Sequence, residues 1–368
     1  MRSFQNFYLH VPFCSGKCDY CAFYSEPELN TSLVQQWADR ISEQIEKLKR
    51  QDEAFHTVYL GGGTPSLLSE EVLKRIFEQI HELPLAEDCE ISMEANPFTV
   101  TPEKAKVMTR YVNRVSLGVQ SFHAETLTML GRRSHEGPTP EEAVRNLREA
   151  GLGNLGLDLI YGVPNQTLEQ WIGDLEQALA LHPEHISAYS VVPEPGTAFA
   201  KRTDEMETDD ALQQTMWEET ERILSKHGIF RYEISNYAKP GFHSRHNFNV
   251  WMGESYLGTG PSAVSFDGHD RRMEPADLYR WLNGEEATID RISAEARAAE
   301  ILMMGLRTVS GWNAEVFRKA AGMSWDFLSG ELEELEEDGL IRRTKDKLYA
   351  TEKGLTYWNI IGETLVRA

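Results

Sequence analysis

The sequence predicts an α/β chain: a parallel sheet built from repeated strand–helix units and closed into a barrel or part of one, with a smaller helical domain behind it. Three observations carry this. Six strand–helix units follow one another, at spacings of about 30–45 residues, through the first two-thirds of the 368-residue chain. The motifs that bear chemistry fall just after strands, where barrels collect their sites. From about residue 292 the pattern turns helical and then gives two short β-runs around a charged turn.

The elements follow in order. Residues 4–10 read as the first strand. The helix after it carries Val34, Trp37, Ala38, Ile41, Ile45 and Leu48 on one face at helical spacing. Residues 56–60 form the second strand, which runs into glycines and a helix with Val72, Leu73, Ile76, Phe77 and Ile80. Residues 89–94 are the third strand, and Thr101-Pro102 opens the next helix as N-cap and first helical residue. Residues 114–118 are the fourth. Thr139 and Glu142 form a capping box, as do Thr167 and Gln170, on either side of a fifth strand at 155–161. Residues 185–190 are the sixth strand. The stretch 201–290 is less regular, with one strong helix at about 209–226 and a segment rich in glycine and aromatics. Beyond it, Ile301, Leu302, Leu306, Phe317, Phe327, Leu328, Leu332 and Leu335 supply apolar helix faces. The segment 339–351 then looks like the wing of a winged helix. The expected domains are thus 1–200, a barrel; 201–290, a connecting segment with a barrel-packing helix; and 291–368, a winged-helix-like unit.

Composition bounds the function. A net charge of −21 argues against non-specific nucleic-acid binding, which depends on neutralising phosphates, and against a general affinity for anionic lipid. The C-terminal unit has 11 Lys/Arg against 13 Asp/Glu over residues 291–368, so the wing lacks a basic footprint and reads as a structural or docking module. No apolar run approaches the length of a membrane span, and residues 1–4 run straight into a strand with no targeting peptide. The expected compartment is the reducing cytoplasm, where clustered thiols persist as metal ligands.

The most informative feature is the CxxxCxxC cluster of Cys14, Cys18 and Cys21. Three clustered thiolates can hold three corners of a cubane iron–sulfur cluster and leave the fourth iron open. Two other readings are a structural zinc site, for which no second Cys/His pair follows, and a set of redox thiols. Cys89, on a strand, reads as an ordinary buried thiol. Gly61-Gly62-Gly63-Thr64-Pro65 comes directly after the second strand. Glycines there let the backbone approach a ligand, and a plain tight turn would look the same.

Together the cysteines and the GGGTP loop resemble the radical S-adenosylmethionine superfamily. Further matches narrow the resemblance to its oxygen-independent coproporphyrinogen III oxidase-like family. They are YLHVPFC at 8–14, MEANP at 93–97, SLGVQSF at 116–122, LGRRSH at 130–135 and DLIYGVP at 158–164. The resemblance covers nearly the whole chain. It implies a partial (β/α)6 TIM-like barrel and a [4Fe–4S] cluster on Cys14, Cys18 and Cys21. It also implies S-adenosylmethionine on the open iron, cleaved by one electron to methionine and a 5′-deoxyadenosyl radical. By the same resemblance Gly62, Gly63 and Thr64 contact the methionyl amine, and Glu94 and Arg132 hold the amino-acid end. Gln120 and Asp158 reach the ribose, and Tyr8, Tyr20 and Val192 line the pocket. Read singly, Glu94 is equally a helix cap, Asp158 a solvated strand-end acid and Arg132 a surface cation.

Two departures bear on activity. The decarboxylating oxidases have a CxxxCxxCxC pattern, and Phe23 stands where their fourth cysteine would be. The segment 244–251, SRHNFNVW, resembles the HNxxYW signature of the HemW-type haem chaperones, with Val250 in place of the tyrosine. The resemblance makes His246 the candidate axial ligand of haem; the alternative is that His246 and Asn247 simply pack the connecting segment onto the barrel. The leading expectation is a haem chaperone with haem as cargo, served by an electron donor and by haem-accepting proteins, with a homodimer among the open assembly states. The rival is a coproporphyrinogen dehydrogenase, so whether the chain is an enzyme stays open at this point. A radical enzyme acting on RNA is disfavoured by the acidic charge.

Overall fold

A computed structural model describes residues 4–27, 30–132, 136–203 and 209–366. Arg133, Ser134 and His135, the end of the LGRRSH motif, lie outside the described residues.

The six expected strands are present and parallel. They are β1 (Asn6–Val11), β2 (Phe55–Gly62), β3 (Leu85–Ala95), β4 (Arg114–Gln120), β5 (Leu155–Tyr161) and β6 (His185–Ser190), adjacent in chain order. The helices between them are α1 (Thr31–Leu48), α2 (Glu70–Ile80), α3 (Pro102–Tyr111), α4 (Ala124–Met129), α5 (Pro140–Glu149) and α6 (Leu168–Ala180). Both capping boxes form, Thr139 with Glu142 and Thr167 with Gln170. Thr101 caps α3 with Pro102 in its first turn. The short α4 lies after β4, in a stretch with too few residues to show a helical period.

The core lies between the sheet and these helices and is built from the apolar half of each strand's alternation: Phe7, Leu9, Val58, Leu60, Ile91, Met93, Val115, Leu117, Leu157 and Leu159. Next come α7 (Ala198–Thr203) and α8 (Asp210–Lys226). Trp171 of α6 is fully buried and locks α8 in place, donating from Nε1 to the Met216 carbonyl at 3.1 Å and to Thr220 Oγ1 at 2.9 Å. Trp171→Ala removes this ring and leaves a large cavity between α6 and α8, although Thr220 Oγ1 still donates to the Met216 carbonyl at 2.7 Å, so we expect a loss of about 3–5 kcal/mol. The check is a lowered denaturation midpoint in guanidinium with an unchanged slope.

The segment 201–290 is more than a connector. Its β7 (Phe230–Arg231) and β8 (Asn236–Ala238) extend the sheet antiparallel beyond β6. After α9 (Arg245–Trp251), β9 (Tyr256–Thr259) adds parallel to β1 on the other edge. β10 (Val264–Phe266), β11 (Asp270–Met273) and β12 (Thr288–Arg291) follow antiparallel, giving twelve strands. Strands of two to four residues are too short to show a period, which is why the sequence reads as irregular here.

The C-terminal unit has its own apolar cluster, including Leu302, Trp312, Phe317, Leu332, Leu335, Ile361 and Leu365. The two expected short β-runs pair: Ile341–Arg343 and Lys347–Ala350 are antiparallel, with Trp312–Asn313 on the far side. Phe327 does not supply a core face; it is 38% exposed, whereas Trp312 and Trp325 are buried in the cluster. A part-buried ion pair joins the unit to the turn between β7 and β8, with Arg307 Nε 2.8 Å from Glu233 Oε2. Among the described residues no helix is long and apolar enough to cross a membrane.

Candidate cofactor site

Strand alternation puts one residue in two on the barrel's inner face. On that face β1 presents Asn6, Tyr8 and His10; β2 presents Thr57, Tyr59 and Gly61; β3 presents Glu90, Ser92 and Glu94; and β4 presents Arg114, Ser116 and Gly118. The interior is therefore polar, and its upper layer forms the mouth of the barrel.

At the mouth, the cysteine loop and the glycine loop are laced together through backbone. Gly63 N donates to Val11 O at 2.8 Å and Thr64 N to Phe13 O at 2.7 Å. A Cβ on Gly63 would lie 2.6 Å from the Phe13 carbonyl, so only glycine allows this approach. Cys14 Sγ lies 3.6 Å from Thr64 Oγ1. The cysteine loop is held at its other end by Asp19, whose amide donates to Leu130 O at 3.1 Å and whose carboxylate meets Arg202 at 2.9 Å.

Cys14, Cys18 and Cys21 are all half-buried and in no disulfide. Burial pushes the Cys21 thiol up, and the neighbouring Cys14 and Cys18 thiols add to this. Among the described residues no three His, Cys, Asp or Glu side chains converge as a single metal ion requires. The three thiols are neighbours: Cys14 and Cys18 both act on the Cys21 thiol. Three soft sulfur donors are a set that an iron–sulfur cluster with one open iron takes.

Beside the cysteines, Glu94 accepts from Tyr59 Oη at 2.9 Å and from the Gly62 amide at 3.1 Å. Burial pushes its carboxyl up to about 7, against the pull of those two hydrogen bonds. Asp158 accepts from Ser116 Oγ at 3.0 and 3.1 Å. Arg132 donates to the Gly118 carbonyl and bonds the Tyr20 hydroxyl. Gln120 has a left-handed backbone at φ +71°, and its amide reaches over Gly118 toward Arg132. A strained non-glycine residue at a strand end is a frequent mark of a functional site. One fixed mouth therefore offers an ionisable acid suited to an ammonium, a guanidinium suited to a carboxylate, and an acid suited to hydroxyls. Val192 sits at the rim, 59% exposed.

His246 is elsewhere, at the opposite end of the barrel. It is 5% exposed on α9, which plugs the floor. Its amide and that of Arg245 donate to Glu90 at 3.2 and 3.0 Å, and Asn249 donates to Asn6 Oδ1 at 3.0 Å. Thr57 gives its one proton to Asn6 Oδ1, so the 2.8 Å contact of Thr57 Oγ1 with His246 Nδ1 puts the ring proton on that nitrogen. Burial pushes the His246 ring down to about 3. The ring is thus enclosed in the barrel floor, where His246 packs α9 of the connecting segment onto β1 and β2.

Three supporting residues went unread in the sequence: His10, Tyr24 and Tyr59. His10 is buried, with Nε2 3.0 Å from the Tyr24 carbonyl and Nδ1 3.0 Å from Tyr8 Oη. A carbonyl only accepts, so Nε2 carries the proton and the Tyr8 hydroxyl donates to Nδ1. The signal available for His10 and Tyr59 was position, since each shares an inner strand face with a residue already singled out or lies one step from the glycine loop.

The radical SAM superfamily pattern matches residues 8–178, and the HemN C-terminal domain pattern matches residues 292–357. The Heme chaperone HemW of Bacillus subtilis is 34% identical over 94% of this chain and 95% of its own length. The Heme chaperone HemW of Escherichia coli is 34% identical over 97% of this chain and 96% of its own. The solved coproporphyrinogen III oxidase of Escherichia coli superposes with a TM-score of 0.84 over 99% of this chain and 91% of that one. At 21% identity this likeness speaks for the fold. Superfamily membership implies S-adenosylmethionine and a [4Fe–4S] cluster, which the donor set at the mouth fits. The chain belongs to the radical SAM superfamily and, within it, to the family of the HemW-type haem chaperones.

Proposed function

We propose that this protein binds haem and delivers it to haem-accepting proteins, with a barrel mouth that holds S-adenosylmethionine against a [4Fe–4S] cluster. One observation carries the reading: 34% identity over nearly the full length to relatives named as haem chaperones. Phe23 supports it. It takes the place of the oxidases' fourth cysteine and is 69% exposed, with no sulfur there to offer a substrate.

In this reading Cys14, Cys18 and Cys21 hold three irons. Gly62, Gly63, Thr64 and Glu94 receive the methionyl amine, and Arg132 receives its carboxylate. Gln120 and Asp158 take the ribose hydroxyls, with Tyr8, Tyr20 and Val192 around them. When bound, the cluster and S-adenosylmethionine supply one-electron chemistry, drawn from an external electron donor. The reducing cytoplasm suits three neighbouring thiols that form no disulfide. Haem is the cargo, and its seat lies outside the barrel floor.

One anaerobic, cluster-reconstituted preparation tests this. Haem titration should give a saturable Soret change, and loaded protein should pass haem to an apo-haemoprotein. Incubation with S-adenosylmethionine, reductant and coproporphyrinogen should leave the propionates intact. A flat haem titration, or turnover to protoporphyrinogen, would overturn the reading in favour of the dehydrogenase.

A further inference from the structure

The floor motif and the cofactor mouth stand at opposite ends of one barrel, yet a continuous column of rings connects them. The His246 ring lies 5.1 Å from the Tyr59 ring and 6.5 Å from the Tyr8 ring, and the two tyrosines lie 6.3 Å from each other. Both hydroxyls point up into the mouth. Tyr59 Oη donates to Glu94 at 2.9 Å, and Tyr8 Oη meets His10, the ring directly beneath Gly62. Below, α9 is itself clamped. Glu90 takes its first amides, Asn249 holds Asn6, and Trp251 lies 4.7 Å under the Arg307 guanidinium of the C-terminal unit.

We propose that Tyr59 and His246 are positioning residues for the S-adenosylmethionine site. The buried imidazole serves as a ring support under Tyr59, and the Tyr59 hydroxyl fixes the Glu94 carboxylate where it meets the methionyl amine. This rests on the reading that Glu94 binds that amine. It gives the HNxxxW segment a task that needs no haem contact.

Among the described residues few groups hold Glu94: its hydrogen-bond donors are one hydroxyl and one amide. The charged and titratable groups facing it are Tyr8 on β1, Tyr59 on β2, Arg114 on β4, Asp158 on β5 and Tyr189 on β6. Of these only Tyr59 donates to it directly. A hydroxyl donor favours the ionised carboxylate, so its loss raises the carboxyl pKa. A carboxylate accepts the N–H of the methionyl amine best in its ionised form. Affinity in the native protein should therefore fall as pH drops through about 7, where the carboxyl titrates. In Tyr59→Phe the fall should begin at higher pH.

The experiment is S-adenosylmethionine binding to anaerobic, cluster-loaded protein by equilibrium dialysis across pH 6 to pH 9 (roughly the window of that titration), with haem titration in parallel. Tyr59→Phe should move the acid limb up by about one pH unit, which is about tenfold weaker binding below the limb, and should converge on wild type at high pH. His246→Ala should weaken binding by about five- to tenfold, and His246→Phe, which keeps a ring, should restore it. Haem binding should be unchanged in both His246 variants. If His246→Ala does not fold, His246→Phe still decides. Lost haem binding there makes His246 a ligand and overturns the proposal, whereas intact haem and cofactor binding supports ring support. A Tyr59→Phe curve weakened equally at all pH values also overturns it, by reducing Tyr59 to packing. Glu94→Gln separates the two levels. If it binds S-adenosylmethionine normally, the site reading falls and the proposal with it; if it loses binding while Tyr59→Phe behaves as wild type, only the proposal falls.

Discussion

Gly62→Ala is expected to abolish S-adenosylmethionine binding and to destabilise the protein by about 2–4 kcal/mol. Gly62 sits at φ +106°, a backbone region that side chains rarely enter. A Cβ there would stand 2.4 Å from His10 Cε1 and 2.5 Å from Nδ1. His10 cannot step aside, because both ring nitrogens are committed, one to Tyr8 and one to the Tyr24 carbonyl, and burial pushes the ring down to about 4 and so keeps it neutral. The glycine loop must move instead. That breaks the Gly62 amide's bond to Glu94 and unlaces the loop from the cysteines. Gly153→Ala is the control, since a Cβ there would meet nothing within 4 Å and no left-handed φ is required. Calorimetric titration of S-adenosylmethionine and a denaturant curve on each variant check the prediction. Wild-type affinity in Gly62→Ala would mean that the cradle lies elsewhere.

Much of this site is written in the chain because its parts follow strands in order. Cys14, Gly62, Glu94 and Gln120 each sit at or just past the carboxyl end of a strand whose apolar alternation is plain, and Asp158 faces them from the middle of β5, so the parallel sheet brings them together at one end. What stayed hidden depends on contacts between distant segments. Tyr59 looks like an ordinary strand residue until β3 brings Glu94 within 2.9 Å of its hydroxyl. His246 carries a signature that suggests chemistry, but no local pattern says which end of the barrel it enters. That is fixed by Glu90, some 156 positions away, which draws in the first amides of α9. The short edge strands β9 to β12 show the same limit, because their identity comes from pairing with β1 and with one another rather than from any period of their own.

Replacing any one of Cys14, Cys18 or Cys21 by serine is expected to remove most of the iron and acid-labile sulfide, and with them S-adenosylmethionine binding, while leaving the fold in place. Iron–sulfur clusters select soft thiolates, and a hydroxyl keeps its proton at neutral pH. Three ligands already leave one iron without a protein donor, so a second loss leaves only two anchoring corners. The loop's shape does not depend on the metal. Cys14 N donates to Glu26 O at 3.1 Å, Glu26 N to Pro12 O at 2.6 Å, and Phe199 N to Asp19 O at 2.8 Å, all through backbone that serine preserves. Thermal midpoints of the metal-free variants should therefore match that of metal-free wild type within a few degrees, roughly the effect of 1 kcal/mol or less. Cys89→Ser is the internal control: its thiol is buried on β3 against the Glu90 carbonyl, away from the loop, and iron content should be unchanged. Iron and sulfide analysis with electron paramagnetic resonance of the reduced proteins reads the outcome. Full cluster content in any of the three loop variants, or its loss in Cys89→Ser, would show that the ligand set differs from Cys14, Cys18 and Cys21. Loss of the cluster together with collapse of the fold would show instead that the metal, and not the backbone lacing, holds the mouth of the barrel together.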